Sequence, residues 1–220
     1  MRTILAAATS LIAISAAQAE SVTTYAAALG QGVLSLPEYT PTFPGATTMS
    51  LDVGIGSALF RDPAGAANTY YTVSDRGPNF TCGDLEDLMP VKAEDACPEV
   101  AGMKAGEGRL YPLPDYNVSI YEVTLDPAAK TFAVTNVLPL KTPAGKAIVG
   151  LTNPLTIAKT DKPRDGAGQP ITQDINAIDA EGLVRLADGR FFIGEENATG
   201  IVEVSPEGVV VRRFVPAGTK

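Results

Sequence analysis

Residues 182–215 read GLVRLADGRFFIGEENATGIVEVSPEGVVVRRFV, the most regular stretch of the chain. Apolar and polar side chains alternate with a period of two, the period of a strand with one buried face, and not with the 3.6 of a helix. Four strands result, over 182–186, 190–194, 201–205 and 209–215. Ala187-Asp188-Gly189 supplies one hairpin turn, with a glycine free to take positive φ, and Pro206-Glu207-Gly208 supplies another. Four strands in about 35 residues is the size of one antiparallel propeller blade. The stretch predicts an all-β, β-propeller-like chain built of antiparallel four-stranded blades.

The same period recurs upstream, over 50–60, 69–74, 118–125 and 131–140. The chain also repeats itself weakly. Tyr71-Thr72-Val73-Ser74-Asp75 resembles Phe191-Phe192-Ile193-Gly194-Glu195, and Ser119-Ile120-Tyr121-Glu122-Val123 resembles Gly200-Ile201-Val202-Glu203-Val204. In each copy an aromatic-bearing strand ends in a carboxylate, and a strand of type I-x-E-V follows. A long insertion with both cysteines separates the two parts of the first copy, and a second polar loop covers 159–174. Helix signals are few; 86–91 and 93–96 have room for a turn each.

With 220 residues, 45% hydrophobic and 19% charged, the chain can bury a core. Its formal net charge of −8 and pI near 4.6 argue against nucleic-acid binding, which needs a basic face. There is no histidine. That excludes Ser-His-Asp and Cys-His catalysis, histidine phosphatase chemistry and most zinc sites. A metal here would be held by oxygen ligands, which favours Ca²⁺ or Mg²⁺.

Residues 1–19 read as a secretory signal: Arg2 is the charged region, 4–16 the apolar run, and Ala17-Gln18-Ala19 the small-x-small cleavage site. The alternative, a membrane anchor, needs about 20 apolar residues, and no later stretch spans a bilayer either. Cleavage would remove Arg2 alone among the charged residues and leave a mature chain from Glu20 one unit more acidic. The expected location is periplasmic or secreted. In an oxidising compartment Cys82 and Cys97, 15 positions apart, are expected to form a disulfide. The alternative, a redox pair, usually needs C-x-x-C spacing.

Two segments carry candidate chemistry. Ser74-Asp75-Arg76-Gly77-Pro78-Asn79 puts a carboxylate, a guanidinium and an amide on a tight turn at a strand's end. Its plainer reading is that Asp75 and Arg76 pair while Gly-Pro sets the turn. Asp179-Ala180-Glu181-Gly182 and Glu195-Glu196-Asn197 border strands of one sheet. Converging there, their carboxylates would repel unless a cation sat between them; on separate solvated loops they would do nothing. The run from Asp161 to Thr172 begins like an EF-hand but has Pro163 third and Thr172 where the bidentate glutamate belongs, so it is not one.

These segments resemble the phytase-like family described as having esterase-like or phosphatase activity. Asp75, Arg76, Gly77, Pro78 and Asn79 match its first motif; Asp179, Glu181, Gly182, Asp188, Gly189, Phe191 and Glu196 match a later one. The chain departs from the pattern at Glu195, Phe192 and Asn197-Ala198-Thr199. The resemblance spans roughly 39–216 and implies an exported bacterial hydrolase of phosphate esters. It also implies a domain over 20–220 that stops before the family pattern does, as a partial propeller. The expected roles are Ca²⁺ held by Asp179, Glu181, Glu195 and Glu196; Arg76 clamping the phosphate; Asp75 orienting Arg76 or binding metal; and Asn79 donating a hydrogen bond. The partner would be a small anionic ester. The competing expectation is a non-catalytic binding module of the cell envelope.

Overall fold

The computed structural model describes residues 22–100, 102–154, 160–198 and 200–219. The signal expected at 1–19 lies outside the described residues. In chain order, β1 (Ala26–Ala27), β2 (Ile55–Arg61), β3 (Thr69–Ser74) and β4 (Phe80–Thr81) precede α1 (Asp84–Leu88) and α2 (Ala93–Ala96). Then follow β5 (Arg109–Tyr111), β6 (Ser119–Asp126), β7 (Thr131–Pro139) and β8 (Pro163–Asp165). The last four are β9 (Ala180–Arg185), β10 (Phe191–Glu195), β11 (Gly200–Val204) and β12 (Val210–Phe214). The chain is mostly β, as the period of two predicts. The strands read from that period are all present; the first begins at Ile55 rather than at Ser50. The unexpected ones, β1, β4, β5 and β8, are two or three residues long, too short to show a period.

Strands β9 to β12 form a four-stranded antiparallel meander in simple sequence order. A second sheet has the order β1-β7-β6-β3-β2. Apart from the two-residue β1, which runs parallel to β7, it too is an antiparallel meander, of β2, β3, β6 and β7. The insertion with the cysteines leaves this sheet after β3 and returns at β6. The sequence repeat is therefore real at the level of strand order, but its pairing differs by one residue. Tyr71 faces Glu122, whereas Phe191 faces Val204 and Phe192 faces Glu203. In a strand a one-residue offset turns a side chain to the other face. Glu122 accordingly stays half-buried and accepts a hydrogen bond from the Thr135 hydroxyl. Glu203 is buried and held between Arg190 and Arg212, each at 2.5 Å.

The two sheets share one core. β9 packs against β2 and β3, and Val73, Ile120, Leu183, Ile193 and Val202 meet inside. At one end of the seam Tyr71 and Phe191 stack edge-on with centroids 5.5 Å apart. Arg185 lies over both rings and pairs with Asp62. The insertion has a smaller core, completed by Phe43 from the segment before β2, where Phe43, Leu85, Met89, Val91 and Leu110 surround the Cys82–Cys97 disulfide. Its strands β4 and β5 join β8 in a three-stranded sheet, with Arg109 beside Pro163 in a parallel pair. Arg164, fully buried, fastens this sheet by donating to the carbonyls of Glu107 and Gly168 at 2.8 and 2.7 Å. No helix among the described residues is long and apolar enough to cross a membrane.

Candidate functional site

The candidate residues gather where β3 ends and β9 begins. β3 runs into the core as far as Ser74, whose buried hydroxyl accepts the Ser119 amide of the neighbouring strand at 3.1 Å. The next two residues turn out of the sheet. Asp75 donates its own amide to the Gly54 carbonyl and accepts the Arg76 amide on its side chain at 2.6 Å. Two glycines permit this turn. Gly77 has φ +85°, and a Cβ there would lie 2.5 Å from the Tyr116 ring. Gly150, from a neighbouring segment, lies so close that any Cβ would occupy the place of the Arg76 carbonyl.

Thus held, the Arg76 guanidinium points across to β9. Its Nη2 lies 2.7 Å from Asp179 Oδ2, while Asp75 Oδ1 is 4.0 Å from its Nε. The principal partner of Arg76 is therefore Asp179 and not its chain neighbour. Nη1 faces Asp161 at 3.6 Å, is buried, and has no hydrogen-bond partner among the described residues. Burial works against the charge of Arg76, but Asp179 holds its pKa above the usual value.

Asp179, the residue before β9, is 1% exposed. One carboxylate oxygen is fully engaged, since Oδ2 accepts from Arg76 and from Asn197 Nδ2 at 3.1 Å. The other, Oδ1, is buried with no hydrogen-bond partner among the described residues. Asp75 and the exposed Glu181 each bring a carboxylate oxygen close to the Asp179 carboxylate, and the three oxygens lie within 4.8 Å of one another. Burial foremost, and then the charges of Asp75, Glu196 and Glu181, push Asp179 up to about 7 against the pull of Arg76. Glu181 is raised as well, by burial and by Asp75 and Glu196.

The other expected residues stand around this cluster. Glu195 is buried at the end of β10; its oxygens accept the Asp179 amide at 3.2 Å and the Ala198 amide at 2.6 Å. It thereby fixes the backbone that carries Asp179, and burial raises its pKa despite these bonds. Glu196 is exposed and donates its amide to the Asp179 carbonyl at 3.0 Å. Asn79 uses both ends of its amide: Nδ2 donates to the Gly77 carbonyl at 2.9 Å, and Oδ1 accepts from Arg109 Nη1 at 2.5 Å.

Three residues of the arrangement carry no expected role from the sequence. Asp161 takes Arg109 Nε at 2.7 Å, and Asn197 caps Asp179. Arg109 and Asp161 lie 52 positions apart and meet only through the parallel pairing of β5 with β8. Nothing local marks them. Asn197 was legible only as part of the acidic turn.

A family model described as phytase-like, esterase-like activity of phytase, matches residues 99–220, more than half of the chain. The match takes in Arg109, Asp161, Asp179, Glu181, Glu195 and Glu196, while Asp75, Arg76 and Asn79 lie upstream of it. No curated protein and no solved structure matches.

Proposed function

The chain belongs to the phytase-like family, and from that premise we propose that it is an exported hydrolase of phosphate esters assisted by Ca²⁺ at Asp75, Asp179 and Glu181. One observation carries the reading: Asp179 keeps a buried carboxylate oxygen, Oδ1, without a hydrogen-bond partner among the described residues, and its carboxylate stands together with those of Asp75 and Glu181. Burying such an oxygen unpaired is costly, and like charges this close cannot all ionise without help. An oxygen-seeking divalent cation resolves both problems, and the donors here are all oxygen.

The residues present fit such an ion. Asp75, Asp179 and Glu181 would hold it, with Glu196 near enough to raise the pKa of two of them. A bound divalent cation supplies polarisation of a phosphoryl oxygen and a more acidic water. The chain's own residues do the rest. Arg76 keeps Nη2 on Asp179 and offers the buried Nη1–H to an anionic oxygen. Arg109, positioned by Asn79 and Asp161, stands beside it. Glu195 anchors the main chain under Asp179 and would not contact the substrate. The acidic protein repels an anionic ester at long range, and a cation in the cluster would reverse that sign locally. The meander order shared by β2-β3-β6-β7 and β9 to β12 supports reading both sheets as propeller blades, with the site at a strand-end rim.

The test is hydrolysis of a chromogenic phosphate ester with added Ca²⁺ or with chelator, alongside calorimetry of Ca²⁺ uptake. Turnover should depend on Ca²⁺, and Glu181→Ala should lower it more than tenfold while weakening uptake. Unchanged turnover in Glu181→Ala removes that residue from the site, and no uptake by the native chain ends the reading. A non-catalytic binding module is the second reading. It is favoured by the Arg76–Asp179 pair, which closes part of the site on itself. Ca²⁺ uptake without turnover of any ester would decide for it.

A further inference from the structure

A groove of about 430 Å³ adjoins the cluster through Asp75, with Asn79 also in its lining. Its walls are apolar: Met49, Leu51, Pro78, Phe80 and Leu88 line it. Leu51 is buried, Leu88 is 54% exposed at the end of α1, and the other three are half-buried. The charged residues in the lining are Asp75 and Asp52, both acids. Of the nearby guanidiniums, Arg76 keeps Nη2 on Asp179, leaving Nη1, and Arg109 keeps Nε on Asp161.

We propose that this groove receives the alcohol portion of the ester, and that the substrate is a phosphate monoester of an apolar alcohol, aryl or alkyl, not a polyphosphorylated one. The proposal rests on the hydrolase reading above. Its physical reason is a mismatch of charge and a match of surface. One phosphoryl group can be met by Arg76 Nη1 and the acidic cluster's cation. A second or third phosphate on the same alcohol would enter a groove whose charged groups are Asp52 and Asp75, and would lose its hydration without gaining a cation. An aromatic ring or alkyl chain there replaces water against five apolar side chains. In the reaction a water oxygen bonds to phosphorus as the phosphorus–oxygen bond to the alcohol breaks. The alcohol leaves with one proton of that water, and inorganic phosphate remains.

Phenylphosphonate and methylphosphonate share a head group, and their carbon–phosphorus bond does not hydrolyse, so their binding separates the groove from turnover. Calorimetric titration of the full chain in Ca²⁺ should show phenylphosphonate binding about tenfold more tightly. Leu88→Asn, at an exposed position that does not threaten the fold, and separately Phe80→Ala should each cut that preference at least threefold and leave methylphosphonate unchanged. Equal affinities, binding of neither, or a preference that survives both substitutions overturns the assignment. Failure of the hydrolase reading would look different: no turnover of phenyl phosphate by protein that still prefers phenylphosphonate.

Discussion

Asp179 gives this fold an unusual dependence on pH. With its pKa pushed up to about 7, the folded chain keeps a proton between about pH 4 and pH 7 that the unfolded chain releases. Raising the pH through that window favours the unfolded state. Glu181 and Glu195, also raised, act in the same direction. Salt-bridged carboxylates such as Asp174 and Glu203 are lowered, and they withdraw their stabilisation only below about pH 4. Without added cation, stability should therefore fall from pH 5 to pH 8. Asp179→Asn should flatten the slope, and Ca²⁺ should restore the native protein more at pH 8 than at pH 5. Urea midpoints at the two pH values check this; an equal slope in Asp179→Asn would remove Asp179 as its source. Gly150 is the other decisive single residue. Gly150→Ala would push the Arg76 carbonyl aside, so turnover should fall more than tenfold with a stability loss of about 1–3 kcal/mol. Gly32→Ala, where an added Cβ meets nothing within 4 Å, should change neither.

At the scale of elements, the insertion between β3 and β6 behaves as a separately stapled unit. The disulfide closes a segment of about 15 residues and contributes about 3 kcal/mol in the chain-entropy model. Cys82→Ala with Cys97→Ala should remove that much stability in a denaturant titration and leave Ca²⁺ uptake within about threefold of native, because Asp75, Asp179 and Glu181 all lie outside the closed loop. Strongly weakened uptake would mean that the insertion shapes the cluster itself. The elements also show what local sequence can and cannot specify. Thr69–Ser74 is a strand within the very bounds its alternation predicts, and Ala93–Ala96 is the short helix expected of 93–96. β4, β5 and β8 exist only because each finds a partner, and two or three residues carry no pattern that announces one. The two I-x-E-V strands are alike in sequence, yet pairing separates their glutamates, burying Glu203 and leaving Glu122 at the edge of solvent.

At the scale of the molecule, two cores of different size predict two levels of stability. The larger runs through both meanders, and the smaller joins the insertion to the segment before β2 through Phe43. Under native conditions amides of β3, β6 and β10 should exchange together and most slowly, while those of β4, α1 and α2 exchange earlier through local opening. Hydrogen exchange followed by mass spectrometry reads this directly, and uniform protection across both regions would contradict it. Legible in the chain alone were its mostly-β character, the strands of the two meanders, the cysteine pair and the oxygen-ligand chemistry left to a chain without histidine. Each of these follows from side-chain period, composition or close spacing. Only the tertiary structure decided which acids meet. Asp75 and Asp179 come from different sheets, Glu195 turns to backbone amides, and Arg109 reaches Asp161 across 52 residues. Such encounters are fixed by how sheets pack and pair, and no local pattern in a chain records the distance between its distant parts.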